Sequence, residues 1–242
     1  MTGERIHPSC DESFGQRIAQ TLQLLQASLP VQRRMVHAGD KIYRVGQEFG
    51  SLHVVSTGMV KVVNLSADGR EQVVALHFRG DWLGLEAIAT GSYACDAVAM
   101  DTGEVWSVPY AQLLTAALSQ PQLLRALHDA MSRQLARDHD SLQSLCAPPT
   151  DARVASFLHY WADAMAKRGL RTDQISLHMT RAEIGNYLGM TLESVSRALS
   201  RLARCDIIRF LEKGRREIHI PRVEALDSFV RQAAALPAAI SD

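Results

Sequence analysis

The sequence predicts an α+β chain, in which an N-terminal β-roll and a C-terminal winged helix–turn–helix are joined by one long helix. Three observations carry this reading. The apolar period is helical up to about residue 30, gives way to short β-branched runs from Met35 to Pro109, and turns helical again after Gln120. Glycine turns punctuate the middle stretch at intervals suited to short strands. The stretch Thr180 to Arg204, TRAEIGNYLGMTLESVSRALSRLAR, reads as two short helices around a tight turn. A chain of 242 residues has room for more than one core. The expected division is 1–34 as an N-terminal helical segment, 35–119 as the roll, 120–146 as the long helix and 147–242 as the C-terminal module.

Within the first segment, Phe14, Ile18, Leu22, Leu25 and Leu29 form one stripe of an amphipathic helix, which packs on the next module or binds a partner. In the roll, LHVVSTGMVKVVNL, EQVVALHF, DAVAM and EVWSVP are separated by turns at Gly39-Asp40, Gly46, Gly58, Asp68-Gly69 and Gly80-Asp81. Strict alternation would set Val60, Val62 and Asn64 on one face and Lys61, Val63 and Leu65 on the other. From Gln120 to Cys146 no glycine or proline follows Pro121, and Leu124, Leu127, Met131, Leu135, Leu142 and Leu145 lie near one side. Such a stripe is a seam against a second copy, making this a dimerisation helix, or a face buried on the roll. Asp138 stands where an apolar residue is expected. Facing its own twin it would weaken pairing or make it conditional on an effector; otherwise it is a solvated acid on the rim. Cys146-Ala-Pro-Pro-Thr ends the helix. Thr150 or Asp151 is expected to cap the next one, which carries Val154, Phe157, Leu158, Trp161 and Met165 inward and ends near Gly169. A short strand from Ile175 to Leu177 leads into the helix pair.

In that pair, Thr180 with Glu183 has the spacing of a capping box. Ile184 and Leu188 face inward, Gly189 makes the turn, and Thr191 caps the second helix, whose Val195, Leu199 and Leu202 face inward. Glu193, Ser194, Ser196, Arg197, Ser200, Arg201 and Arg204 lie on the other side. The first turns of such a helix enter the DNA major groove, where Arg reaches two guanine acceptors and Glu accepts from cytosine. Arg201 and Arg204 suit phosphates, which position without specifying. Cys205 to Ile220 reads as strand, turn and strand with a basic tip that includes Lys213 and Arg215, a wing against the backbone. The expected DNA contacts are Thr180, Thr191, Glu193, Ser194, Ser196, Arg197, Ser200, Arg201, Lys213 and Arg215. A merely solvated basic face is the alternative.

Composition agrees. Net charge is zero, yet residues 147–222 hold 13 Lys/Arg against 8 Asp/Glu, leaving 13 against 18 elsewhere. A basic C-terminal segment on a mildly acidic body fits a nucleic-acid module attached to something else. No apolar run suits a membrane span and the first residues lack a secretory pattern, so a cytoplasmic protein without a membrane partner is expected. Cys10, Cys95, Cys146 and Cys205 are scattered, which excludes a disulfide framework. No metal triad, nucleophile motif or phosphate loop points to an enzyme.

TRAEIGNYLGMTLESVSRALSRL resembles the helix–turn–helix of the Crp/Fnr family of bacterial transcription regulators, closest to the Fnr branch, where IGNYLG and E-x-x-S-R recur. HAGDKIYRVGQ and FRGDWLGLEAI resemble segments of that family's cyclic-nucleotide-binding-like β-roll, and the likeness runs from about Met35 to Ile220. The resemblance implies a homodimer on double-stranded DNA, with Glu193, Ser196 and Arg197 reading a TTGAT-type half-site of a palindrome. Leu192 stands where cyclic-AMP-binding members carry a further arginine, which argues against a TGTGA-type site. The turn from Ala67 to Gln72 lies where relatives touch RNA polymerase, which favours an activator.

The input side departs from the family patterns. Cyclic-AMP-binding members have a glutamate after the glycine of the phosphate segment and an Arg-Ser pair further on; Leu85 and Ala94-Cys95 stand there, which argues against cyclic AMP. An Fnr-type iron–sulfur cluster needs a close-spaced N-terminal cysteine group and one in the roll; only Cys10 is N-terminal and Trp106 stands at the roll position, which argues against a cluster. Haem stays open, with His7, His37, His53, His77 or His128 as an axial ligand. So does direct oxidation of Cys10, Cys95 or Cys146. Oxygen, redox state and nitrogen oxides are the candidate signals. The rival reading is a ligand sensor or accessory protein with a roll and no specific DNA reading.

Overall fold

The computed structural model describes residues 9–65, 71–146, 149–211 and 216–235. The order begins with α1 (Ser9–Ser28), then β1 (Gln32–Val36), β2 (Lys41–Tyr43), β3 (Ser51–Thr57), β4 (Val60–Leu65), β5 (Glu71–His77) and β6 (Trp82–Leu83). A short α2 (Ala87–Thr90), β7 (Asp96–Ala99) and β8 (Gly103–Pro109) complete the roll, and α3 (Tyr110–Ser119) leads to the long α4 (Pro121–Cys146). The C-terminal module holds α5 (Thr150–Ala166), β9 (Gln174–Ser176), α6 (Arg181–Leu188), α7 (Leu192–Arg204), β10 (Arg209–Phe210), β11 (Glu217–His219) and α8 (Val223–Ala235). Because β1 starts at Gln32 and pairs with β8, the roll's first strand runs across the expected 34/35 boundary.

Two antiparallel sheets, ordered β1-β8-β3-β6 and β2-β7-β4-β5, face each other. Strand β3 is buried on both sides, and its alternation decides what each side meets. Leu52 and Val54 pack outward with Trp106 and Val108 of β8, under Ile18, Leu22, Leu25 and Leu29 of α1 and Leu123, Leu127 and Ala130 of α4. Val55 points inward to Val36, Tyr43, Val60, Val62 and Ala97. The N-terminal stripe therefore packs on the chain's own roll.

The register of β4 against β5 slips because β5 carries one extra residue, a β-bulge at Val74, which is exposed while Val73 is buried. Strand β4 stays regular against β7, and Val62 and Val63 are both buried because the strand is covered on both faces. One expectation needs correction. On α4, Leu127 is only 4% exposed and belongs to the inward face with Leu123 and Ala130, not to a seam. Leu124, Met131 and Leu135 are exposed, Leu135 at 60%, and Asp138 is exposed beside them. The side chains of Leu142 and Leu145 lie outside the described residues.

Roll and C-terminal module share a core. Val73, Leu76, Phe78 and Met100 of the roll pack with α5 to α8, and Phe78 meets Trp161 edge-on at 5.5 Å. Beneath it, Asp81 of the roll accepts from Arg168 just past α5 and from Arg137 on α4.

Burial pulls the pKa of His53 down to about 4, with Arg34 adding to it. His77 is likewise pulled to about 4 by burial, against Asp81 and with Arg137 and Arg168. Both are buried neutral. The stability they confer is complete above the unfolded value of about 6.5 and drains away as pH falls towards the folded value. Urea midpoints should decline steadily from about pH 7 to about pH 4.5. A flat profile would show that the two rings charge without cost.

Candidate nucleic-acid interface

The helix pair is built by its caps. The Thr180 hydroxyl accepts from the Glu183 amide at 3.1 Å while the Glu183 carboxylate accepts from the Thr180 amide at 2.7 Å, closing the capping box. Gly189 ends α6 at φ 62°, a conformation that costs a residue with a Cβ. Gly185 lets the helices cross closely: a Cβ there would lie 2.6 Å from the Met190 carbonyl oxygen. Thr191 caps α7 by accepting from the Ser194 amide at 3.2 Å. Val195, Ala198, Leu199 and Leu202 then bury one face of α7 completely, at spacings of three and four.

What the buried face leaves outside is the expected reading set. Glu193, Arg197, Arg201 and Arg204 are exposed, with Ser196 and Ser200 half-buried between them. Ser196, Arg197, Ser200, Arg201, Arg204 and Asp151 line one shallow groove. Ser194 is oriented by Thr191 at 3.1 Å and accepts from the Arg197 guanidinium at 3.2 Å, so it steadies the arginine. The backbone amide of Glu193 itself, then the Thr191 hydroxyl and the Arg197 charge, hold the Glu193 carboxyl below its ordinary range, ionised and acceptor-only. Thr180 spends its hydroxyl on Glu183, both accepting and donating. Lys213 and Arg215 lie outside the described residues.

Several residues that set this geometry escape a reading of the sequence. Neither Thr150 nor Asp151 caps α5: Pro149 holds the cap position without a side-chain bond, and Thr150 is already helical. Asp151 instead meets Arg201 at 2.8 Å. The Asn186 carboxamide accepts from the Val73 amide at 2.9 Å and donates to the Glu71 carbonyl, so α6 satisfies the edge strand β5 as a further strand would. Lys61 of β4 pairs with Glu183, whose other oxygen closes the cap. These contacts hold α6 on the roll while α7 faces outward. Their partners are more than a hundred residues apart in sequence, and no local pattern announces them.

Inside the roll Tyr43 and Tyr93 stack at 4.0 Å, and a Cβ on Gly84 would lie 2.8 Å from the Tyr93 ring. The segment from Gly84 to Cys95 holds Glu86 and no Lys or Arg. A cyclic phosphate at this segment would meet the stacked rings and no cation from the segment itself, so these residues do not fit a cyclic nucleotide. Both ring nitrogens of His53 are occupied, by Ser107 at 3.0 Å and Tyr93 at 3.2 Å, which leaves neither for haem iron. His77 is buried, His37 and His128 are exposed, and His7 lies outside the described residues. Burial, then Glu86 and Asp96, push the Cys95 thiol up, away from the reactive thiolate. The side chains of Cys10 and Cys146 lie outside the described residues, whose acids, histidines and cysteines form no metal-holding group.

Comparison with known proteins places both halves. Residues 33–120 match the cyclic nucleotide-binding domain, and residues 152–229 match the Crp-like helix-turn-helix domain. The transcriptional activator protein Anr of Pseudomonas protegens is 35% identical over 187 residues, 77% of this chain and 75% of that protein. The fumarate and nitrate reduction regulatory protein of Vibrio cholerae is 30% identical over 186 residues, 77% of this chain and 72% of its own. The structure of FixK2 from Bradyrhizobium japonicum superposes with a TM-score of 0.72 at 31% identity, covering 87% of this chain and all of that one. With the roll, the long helix and the reading helix in this order, the chain belongs to the Crp/Fnr family of transcription regulators.

Proposed function

We propose that the chain binds a TTGAT-type palindrome as a homodimer, one α7 in each of two successive major grooves, and activates transcription through contact with RNA polymerase. The observation that carries this is the division of α7: one face wholly buried, the other presenting Glu193, Ser196 and Arg197 from its first turns. Ionised Glu193 supplies an acceptor for cytosine N4 and Arg197 a two-pronged donor for guanine. The names of the Anr relatives, transcriptional activators, support the direction of control. Fluorescence anisotropy at fixed salt, comparing a TTGAT palindrome with a scrambled duplex, tests the reading. Equal affinities would refute it.

Pairing is supported by Leu124, Met131 and Leu135, an apolar stripe on α4 that the chain leaves exposed. Asp138 follows on that flank and accepts from Gln134 at 2.8 Å. Two such carboxylates roughly 8 Å apart across a seam repel by about 2 kcal/mol at an effective dielectric of about 20. Asp138→Ala should therefore tighten dimerisation roughly tenfold or more, measured by analytical ultracentrifugation. An unchanged constant would make Asp138 a solvated rim acid. No helix of the described residues is long and apolar enough to cross a membrane.

A further inference from the structure

On another flank of α4, a cleft of about 660 Å³ opens between α1 and α4, a volume usual for small-molecule sites. Its floor is apolar, with Ile18 and Leu22 of α1 and Val54 of β3. Its charged lining is Arg17, Arg125 and Arg133 against Asp129, three guanidiniums to one carboxylate among the described residues. None of the three arginines reaches a carboxylate or a hydrogen-bond acceptor within the described residues.

Arg17 and Arg133 nevertheless both approach one ring, and Arg17 is near enough for its charge to act on Arg133. Their guanidinium carbons lie 5.7 Å and 5.8 Å from the ring centre of Phe14, which also lines the cleft. Burial pulls the Arg133 pKa down; Asp81 and Asp129 oppose this, while Arg137 and Arg17 add to it. Asp81 is already committed to Arg137 and Arg168, and Asp163 to Lys167. Two like charges held around one ring, with the carboxylates near them among the described residues spent or outnumbered, suit an anion.

We propose that this cleft binds a small organic phosphate, with its phosphate between Arg17 and Arg133 and its apolar body on Ile18 and Leu22. Paired guanidinium forks match the geometry and the double charge of a phosphate, where a single carboxylate would neutralise only one of them. At 100° per residue, Arg125, Asp129 and Arg133 project away from the flank of Leu124, Met131 and Leu135, so a second copy seated on that stripe leaves the cleft open. The site is separate from the roll interior. It also adjoins the C-terminal module, because the guanidinium carbon of Arg168, held by Asp81, lies 5.7 Å from the centre of the same Phe14 ring.

The test is isothermal titration of the full chain, without DNA, using inorganic phosphate and phenyl phosphate. Phenyl phosphate should bind about tenfold more tightly than inorganic phosphate, since only it reaches the apolar floor. Arg17→Gln combined with Arg133→Gln should weaken it by about tenfold or more, while Asp129→Asn, which removes the competing carboxylate, should tighten it several-fold. The Asp129 variant guards against a double variant that merely misfolds. Absence of binding at millimolar phenyl phosphate, equal affinity for both compounds, or no response to Asp129→Asn would overturn the proposal. Displacement of phenyl phosphate by scrambled duplex DNA would also overturn it, marking the cleft as a contact for the DNA backbone.

Discussion

Replacing Asp81 with alanine is expected to destabilise the fold by about 3–5 kcal/mol, the usual cost of stripping a buried charge of its partner. Asp81 Oδ1 accepts from Arg137 at 3.1 Å, and Oδ2 accepts from Arg168 at 3.0 Å and from the Phe78 amide at 2.9 Å. Arg168 retains its bonds to the Arg79 and Ala164 carbonyls in the variant, at 2.8 Å and 2.7 Å, but its charge then sits uncompensated at 5% side-chain exposure. Arg137 is 23% exposed and can turn to water, so most of the loss belongs to Arg168. Burial alone would raise the Asp81 pKa. The charges of Arg168 and then Arg137, with smaller help from His77 and the Phe78 amide, hold it below the ordinary carboxylate value instead. A depressed carboxylate stabilises above its unfolded pKa of about 3.9, and that contribution is lost as pH falls through the folded value. Asp81→Ala should thus lower the urea midpoint at neutral pH and flatten the acid limb of the stability profile below about pH 4. A loss under about 1 kcal/mol would mean that Arg168 finds another counter-ion. Because the cluster joins roll, long helix and C-terminal module, the variant should also loosen how α7 is aimed.

How much of this was legible in the sequence depends on the range of the interaction. Periods and caps are local, so the N-terminal stripe, the long helix, the capping box at Thr180 and Glu183 and the αL turn at Gly189 all follow from neighbours within a few residues. The outward set on α7 is legible for the same reason, since burying Val195, Leu199 and Leu202 leaves Glu193, Ser196 and Arg197 on the other side. The expected cap at Thr150 or Asp151 failed because a local rule met a tertiary competitor: Asp151 is pulled to Arg201, fifty residues away. Leu127 failed differently. An apolar stripe shows that a helix has a face to bury but not which neighbour takes each residue, and α1 with the roll takes Leu127 before any second copy can. The docking by Asn186 needs a particular strand edge to be free, and that is a property of sheet order alone. The same limit hides the signal: stacked Tyr43 and Tyr93 explain why the roll does not suit a cyclic nucleotide, and nothing local in the sequence pairs those two rings.

Arg197→Ala is expected to cost about 1–3 kcal/mol on a TTGAT palindrome and almost nothing on scrambled DNA, the behaviour of a residue that reads a base edge. Arg197 is exposed and makes its hydrogen bond to Ser194 within its own helix, so removing it leaves no buried group unpaired. The loss should therefore appear in binding and not in stability. Arg201 supplies the contrast. It is paired with Asp151 at 2.8 Å and its side chain is 61% exposed, further along the helix, where the proposed docking would place phosphates. Arg201→Ala should weaken specific and scrambled duplexes alike and reduce the dependence of log affinity on log salt by about 1. Anisotropy titrations of both variants on both duplexes at several salt concentrations separate the two roles. If Arg197→Ala weakens the two duplexes equally, the arginine holds phosphate and Glu193 must carry the discrimination. Ser194→Ala should then tell how much of the reading is aim: if the hydroxyl acts on DNA through the guanidinium it steadies, its loss should reduce specific binding by less than Arg197→Ala and leave the salt slope unchanged.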